Sequence, residues 1–250
     1  MSLSALIFDV DGTLAETEQW HRQAFNLAFM DMDLDWIWDH ALYLELLSVT
    51  GGKERMRHYA SLHDRDFLAN PDIGQRIVSL HRNKTNHYAR LISSGEVKLR
   101  PGIERLINEA KDNQLKLAIS TTTTRDNVVN LLTATLGKNG PTMFDAISAA
   151  DSAEHKKPAP DVYFDTLRKL KIRPDQCLTF EDSQNGLLSA RRANIDTVVT
   201  LSDFTSCHDH MDAIAVLKNL GDPGLPCEVV RGDLDGREFV DLELLRQWRG

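Results

Sequence analysis

The chain has 250 residues, 42% hydrophobic and 26% charged, which is enough apolar material for a sizeable core and excludes disorder as its default state. Its formal net charge of −8 argues against nucleic acid or an anionic membrane as the main partner, because phosphate backbones reward basic surfaces. A small phosphorylated ligand stays open, since one Mg2+ and a few local cations can reverse the field inside a pocket.

In chain order, residues 3–8 form a short apolar run that ends abruptly in Asp9-Val10-Asp11-Gly12-Thr13, the pattern of a buried parallel strand running into a turn. Residues 17–92 follow, rich in helix formers and aromatics (Trp20, Phe25, Trp36, Trp38, Tyr43) and without a clear strand pattern. A helical insertion, a cap folded over the strand ends, is expected there. Arg100-Pro101-Gly102 restarts the main domain, with a helix expected over 103–113. Residues 115–120 repeat the strand pattern and end in Thr121-Thr122-Thr123-Thr124; 144–147 is a weaker strand leading to Asp151. After Lys156-Lys157-Pro158-Ala159-Pro160, a helix is expected over 161–170. A strand over 177–180 ends in Glu181-Asp182-Ser183, a helix follows over 185–193, and a strand over 197–201 ends in Ser202-Asp203. Residues 221–226 read as a turn-rich link to a terminal helix over 242–248. Strands alternating with helices imply a parallel sheet covered on both faces, whose ligands bind beyond the carboxyl ends of the strands.

The polar residues at those ends are the candidates. Two carboxylates two apart, Asp9 and Asp11, reach one pocket if the chain turns at Gly12. One can then attack phosphorus while the other exchanges a proton with the leaving oxygen and with water; a carboxylate turn or a calcium site is the competing reading. Thr121 and its neighbouring amides can hold a phosphate, or the threonine run can cap a helix. Lys157, beside a restrained proline turn, is either a fixed cation for phosphate or a solvated side chain. Glu181 and Asp182 offer hard oxygen ligands for Mg2+, or simply begin a helix.

With all four elements in this order, the sequence resembles the haloacid dehalogenase superfamily of phosphatases and phosphomutases. The resemblance implies an α/β fold with a Rossmann-like parallel sheet core over residues 1–16 and 93–250 and an inserted all-helical cap over 17–92. It implies that Asp9 is the nucleophile, Asp11 the general acid/base, and Thr121 and Lys157 the holders of the phosphoryl group. Mg2+ is then held by Asp9, Asp11 through its carbonyl, and Asp182, with Glu181 as ligand or support.

The strings 9–18, 50–55, 99–103 and 181–186 are similar to the CbbY-like branch, related to beta-phosphoglucomutase. That implies hydrolysis of a sugar bisphosphate, xylulose-1,5-bisphosphate in some members, with cap residues contacting the second phosphate. Candidates are Glu18, His21, Thr50, Gly51, Gly52, Lys53, Arg55, Lys84 and, in the core, Thr122; for Arg55 and Lys84 a solvated helix face is the competing reading, and for His21 a core or boundary histidine. A phosphomutase using the same intermediate and a non-catalytic binding module are the alternatives, and dehalogenation is disfavoured because it needs neither Asp11 as proton donor nor a cation at Asp182. The three separated cysteines fit a reducing compartment, no apolar run approaches the ~18 residues of a membrane helix, and the first residues lack a secretory pattern. A cytoplasmic monomer is expected.

Overall fold

Ala5–Phe8 is apolar at every position and forms β1, buried throughout, as a parallel strand covered on both faces must be. In the computed structural model, which describes residues 3–249, β1 is followed by helices α1 (Glu18–Met30), α2 (His40–Leu46), α3 (Gly52–His63), α4 (Arg65–Leu68) and α5 (Ile73–Ile92). Strands and helices then alternate: α6 (Ile103–Asp112), β2 (Lys116–Ser120), α7 (Arg125–Leu136), β3 (Ala146–Ser148), α8 (Asp161–Leu170), β4 (Cys177–Glu181), α9 (Gln184–Arg192) and β5 (Asp196–Thr200). Two short strands, β6 (Ala215–Leu217) and β7 (Val229–Arg231), and the terminal helix α10 (Leu242–Arg249) complete the chain.

The sheet order is β3-β2-β1-β4-β5-β6-β7, parallel except for the β6–β7 pair. β1 lies between β2 and β4, with Phe8 in register with Ile119 of β2 and Phe180 of β4. The carboxyl ends of β1, β2 and β4 are therefore adjacent, which places the segments after Phe8, Ser120 and Glu181 side by side. The fold is α/β with a mostly parallel, Rossmann-like sheet.

The chain divides into two compact units, one containing Glu16 and the residues before it together with Val97 onward, the other Thr17–Glu96. The second unit contains no strand among its described residues. Its core is aromatic: Phe25 and Phe29 pack on Trp38, and Trp36 meets Phe29, Tyr59 and Phe67 edge-on. The buried Trp38 backbone is held at both its N–H and its carbonyl by the side chain of Asn26. Residues 93–96 go with this unit rather than with the sheet, because the turn after α5 is capped on it: Ser93, Ser94 and Gly95 donate to the carbonyls of Ala89, Leu91 and Ile92. No helix among the described residues is long and apolar enough to cross a membrane.

Three features depart from the sequence expectation. The strand expected over 144–147 starts at Ala146, because a 3-10 turn over Gly140–Met143 precedes it. Helix α7 lies where no helix was assigned, begun by Thr124 accepting from the Asn127 amide. Strands β6 and β7, three residues each, extend the sheet in a region expected to carry only a link and a helix.

Candidate active site

The Asp9 amide still donates to the Phe180 carbonyl (3.0 Å), so the chain keeps strand geometry up to this residue. It then turns sharply. The Val10 carbonyl accepts from the amides of Thr13, Leu14 and Ala15, and Gly12 adopts φ +80°, a conformation natural to glycine. Gly12 also makes room for a neighbour, since a Cβ there would fall 2.2 Å from Asp182 Oδ2. The first acidic segment and the fourth are thus in van der Waals contact through a missing side chain.

Lys157 joins the segments. Its buried ammonium donates to Asp9 Oδ1 (2.6 Å), Glu181 Oε1 (2.6 Å) and the Ser120 carbonyl (2.8 Å). One cation with all three donors engaged therefore ties the ends of β1, β2 and β4 together. It reaches them from the turn before α8, which contains a cis Lys157–Pro158 peptide.

Glu181 is completely buried and also accepts from the Tyr163 hydroxyl, beside Thr179 Oγ1. Its Oε2 has no hydrogen-bond partner among the described residues and lies where a Cβ on Gly186 would come within 1.8 Å. Asp182 is 4% exposed, and its Oδ2 accepts from Thr205 Oγ1 (2.9 Å).

Asp9, Glu181 and Asp182 each bring a carboxylate oxygen within 4.8 Å of the others. Three buried carboxylates against one ammonium leave the cradle negative, and the orphaned Glu181 oxygen adds to that imbalance. Burial pushes the Asp9 carboxyl up to about 8; Lys157 opposes the rise, while Glu181 and Asp11 add to it. Burial pulls Lys157 down, but Asp9 and Glu181 outweigh it and hold its ammonium well above the usual lysine range. Hard oxygen donors with an excess of negative charge fit a Mg2+ ion, which would favour the ionised Asp9 that burial disfavours.

Thr121 follows Ser120 directly and is 1% exposed; its amide donates to the Ser148 carbonyl and its Oγ1 accepts from the Thr123 amide. The helix cap belongs to Thr124 and not to Thr121. Thr122 is half-buried. Asp11 is half-buried and bridges to Ala15.

The remaining candidates lie in the helical unit. Glu18 accepts from the Tyr43 hydroxyl (2.7 Å). His21 is buried, stacks on Tyr88 and meets Lys84 Nζ through Nδ1. Lys84 is not on a solvated face: it is 4% exposed, its ammonium 4.8 Å from the Phe25 ring centroid and 5.0 Å from that of Tyr88. Arg55 is buried as well. Its Nε donates to the carbonyls of Leu46 and Val49 and its Nη1 to the Tyr43 hydroxyl, so it fastens the turn after α2. Gly51, at φ +97°, precedes α3; Thr50, Gly52 and Lys53 are half-buried around it.

Sequence reasoning did not single out Tyr163, Thr205 or Arg100. The Arg100 guanidinium donates to the carbonyls of Gly12, Thr200, Leu201 and Lys218 and pairs with Glu16, so it pins the acidic turn to the ends of β5 and β6. Its place in the Arg-Pro-Gly string was the available signal; nothing local marks the other two.

The family model described as haloacid dehalogenase-like hydrolase matches residues 6–200. The chain belongs to the haloacid dehalogenase-like hydrolases. Within this family it is CbbY-like: it is 47% identical to the plasmid CbbY protein of Cupriavidus necator over 98% of this chain and 96% of that one. Crystal structures of CbbY from Rhodobacter sphaeroides, one with phosphate and one of a mutant with xylulose-(1,5)bisphosphate, are 40% identical with a TM-score of 0.80. They cover 89% of this chain and 96% and 99% of their own. A phosphorylated carbohydrates phosphatase of Thermotoga maritima is 26% identical over 78% of this chain and 84% of its own length. This haloacid dehalogenase-like chain is a hydrolase of the phosphatase type.

Proposed function

We propose that this phosphatase hydrolyses a small sugar phosphate, with Asp9 as nucleophile, and that xylulose-1,5-bisphosphate, bound by the Rhodobacter sphaeroides CbbY mutant, is its first candidate substrate. The observation that carries the reading is the Lys157 ammonium, bonded at once to Asp9, Glu181 and the Ser120 carbonyl beside three mutually close carboxylates. Phosphoryl transfer needs such an arrangement, because its catalysis is mostly alignment and charge stabilisation.

The chemistry runs in two balanced steps. An Asp9 carboxylate oxygen bonds to phosphorus as the bond from phosphorus to the sugar oxygen breaks, and the Asp11 carboxyl gives its proton to that oxygen. Asp11, now a carboxylate, takes a proton from water as the water oxygen attacks phosphorus, and the bond to Asp9 breaks to release phosphate. Lys157 offsets the charge of Asp9 and phosphate, and the Thr121 hydroxyl orients a phosphoryl oxygen. Asp9, Asp182 and the Asp11 carbonyl would hold Mg2+, which would supply further charge stabilisation for the phosphoryl oxygens.

For Glu181 the hydrogen bonds favour support over ligation, since one oxygen is already shared by Lys157 and Tyr163. In the helical unit, Arg55 is committed to backbone carbonyls, which leaves Lys53 and the amides at Gly51 and Gly52 as the better anion contacts. The sparse cysteines and acidic composition suit a monomer working in the cytoplasm.

The test is a panel of pentulose bisphosphates, hexose phosphates and phosphoglycolate with Mg2+, reading free phosphate and isomerised sugar phosphate separately. Phosphate release with at least tenfold preference for one bisphosphate is expected, and Asp9→Asn should abolish it while the circular dichroism stays unchanged. Turnover retained in that variant would refute the mechanism; isomerisation in place of release would make the enzyme a mutase; phosphate release undiminished by chelator would remove the cation from the mechanism.

A further inference from the structure

The family match ends at residue 200, yet the segment just beyond it reaches the carboxylate cradle. Thr205 is 4% exposed, and its Oγ1 lies 2.9 Å from Asp182 Oδ2. The same oxygen faces Gly12, whose absent Cβ would sit 2.2 Å from it. Oδ2 is thus held between a hydroxyl donor and a glycine backbone, which fixes the rotation of the whole carboxylate group.

Thr205 is itself held from several sides. Its amide donates to the Ser202 carbonyl, and its own carbonyl accepts from the His208 amide and lies 3.2 Å from Nε2 of the buried His210. Farther along the chain, Arg231 of β7 donates to the carbonyls of His210, Met211 and Ala213. Ser202, three residues before Thr205, donates to Glu16 beside the first acidic turn. The loop between β5 and β6 is therefore a built support with its anchor in the tail strand.

The geometry points to Thr205 as a positioning residue of the cation site: its hydroxyl holds Asp182 Oδ2 so that the other carboxylate oxygen is presented to the metal. This rests on the reading of the three carboxylates as a cation site. Groups that orient ligating carboxylates commonly change metal affinity by about 10–100-fold when removed. Thr205→Val keeps the shape and deletes the donor, whereas Thr205→Ser keeps the donor.

The experiment is a Mn2+ titration of the full chain followed by electron paramagnetic resonance, with Mg2+ competition, beside steady-state assays over a range of Mg2+. Thr205→Val is expected to weaken Mn2+ binding about tenfold and to raise the half-saturating Mg2+ equally, with kcat at saturating Mg2+ within about twofold of wild type. Thr205→Ser should restore both to within about twofold, and Arg231→Met, which loosens the loop from outside, should weaken binding less than Thr205→Val. Asp182→Asn sets the value for a lost ligand. Equal Mn2+ affinity in Thr205→Val and wild type overturns the inference and leaves the cation reading standing. Absence of Mn2+ binding by wild type overturns the cation reading and this inference with it. If Thr205→Val does not fold, a Thr205→Ser protein that binds no tighter than Arg231→Met overturns the positioning role.

Discussion

Lys157 and Lys84 are equally buried, each 4% exposed, and within its own unit each meets a different set of neighbours. Lys157 donates to two carboxylates and a carbonyl; in its own unit Lys84 meets an imidazole nitrogen and the faces of Phe25 and Tyr88. A buried ammonium against carboxylates is an electrostatic tie, and removing it strands anions in a poorly solvated place. An ammonium against aromatic faces is held by ring quadrupoles and apolar packing along its stem. Burial therefore says that a lysine is not idle, and the charge of its neighbours says what it can do.

The largest effect should come from breaking the tie. Lys157→Met should lower kcat by about 10²–10³-fold, the size of losing one preorganised electrostatic group. It should also cost about 3 kcal/mol of stability, because Asp9 and Glu181 lose their shared cation. Lys84→Met keeps an unbranched polarisable chain between the two rings, so what its own unit loses is the imidazole contact, about 1 kcal/mol or less. Urea denaturation of both variants is the measurement, and equal losses would erase the distinction.

A second effect follows from Asp9. Its carboxyl is raised from 3.8 to about 8 in the folded chain, chiefly by burial. Between those values the unfolded chain is ionised and the folded chain holds a proton, so the folded state binds more protons and stability falls as pH rises. The contribution is fully present below about pH 4 and lost by the time the pH has passed about 8. With chelator present, stability measured from pH 5 to 8.5 should decline by up to about 1 kcal/mol per unit. Asp9→Asn should flatten that decline, and Mg2+ should do so in the wild type by favouring the ionised carboxylate. A slope unchanged by Asp9→Asn would assign the pH dependence to other groups.

Much of this contrast was legible in the sequence, and the reason is topological. In a parallel sheet, an apolar run ending in polar residues points those residues to one edge, so Asp9, Thr121, Glu181 and Asp182 could be placed without coordinates. Lys84 was less well read, although its signal was present: Ile77, Leu80, Tyr88 and Ile92 continue through it as one buried stripe of α5. Arg55, too, sits beside the buried Met56 in α3. What the sequence could not give was which of two oxygens on a carboxylate meets which partner. That Glu181 turns toward Lys157 and Tyr163 depends on α8 carrying the Tyr163 hydroxyl to the end of β4, and that Thr205 reaches Asp182 depends on a loop with no periodic pattern. Strands of three residues, such as β6 and β7, are likewise too short for an alternation to show.

Glycines sharpen the comparison at a smaller scale. Gly186→Ala would drive a methyl into Glu181, whose carboxylate is fixed by Lys157 and Tyr163 and cannot retreat; a loss of about 2–3 kcal/mol with reduced turnover is expected. Gly52→Ala would meet the half-buried His81 ring at 3.0 Å and the buried Phe25 ring at 3.1 Å, a milder crowding than at Gly186, and should cost about 1 kcal/mol. A comparably small effect is assigned to Tyr43→Phe. Its hydroxyl donates to Glu18 (2.7 Å) and accepts from Arg55 (3.0 Å), so it couples α1 to α3 through a single oxygen. Losing both bonds should cost about 1 kcal/mol, visible as a lower urea midpoint at unchanged m-value. A double-mutant cycle with Arg55→Met decides how the coupling is divided. Additive losses would mean that Arg55 acts only through the carbonyls of Leu46 and Val49, while a non-additive term would show that the phenol is part of how the arginine is held.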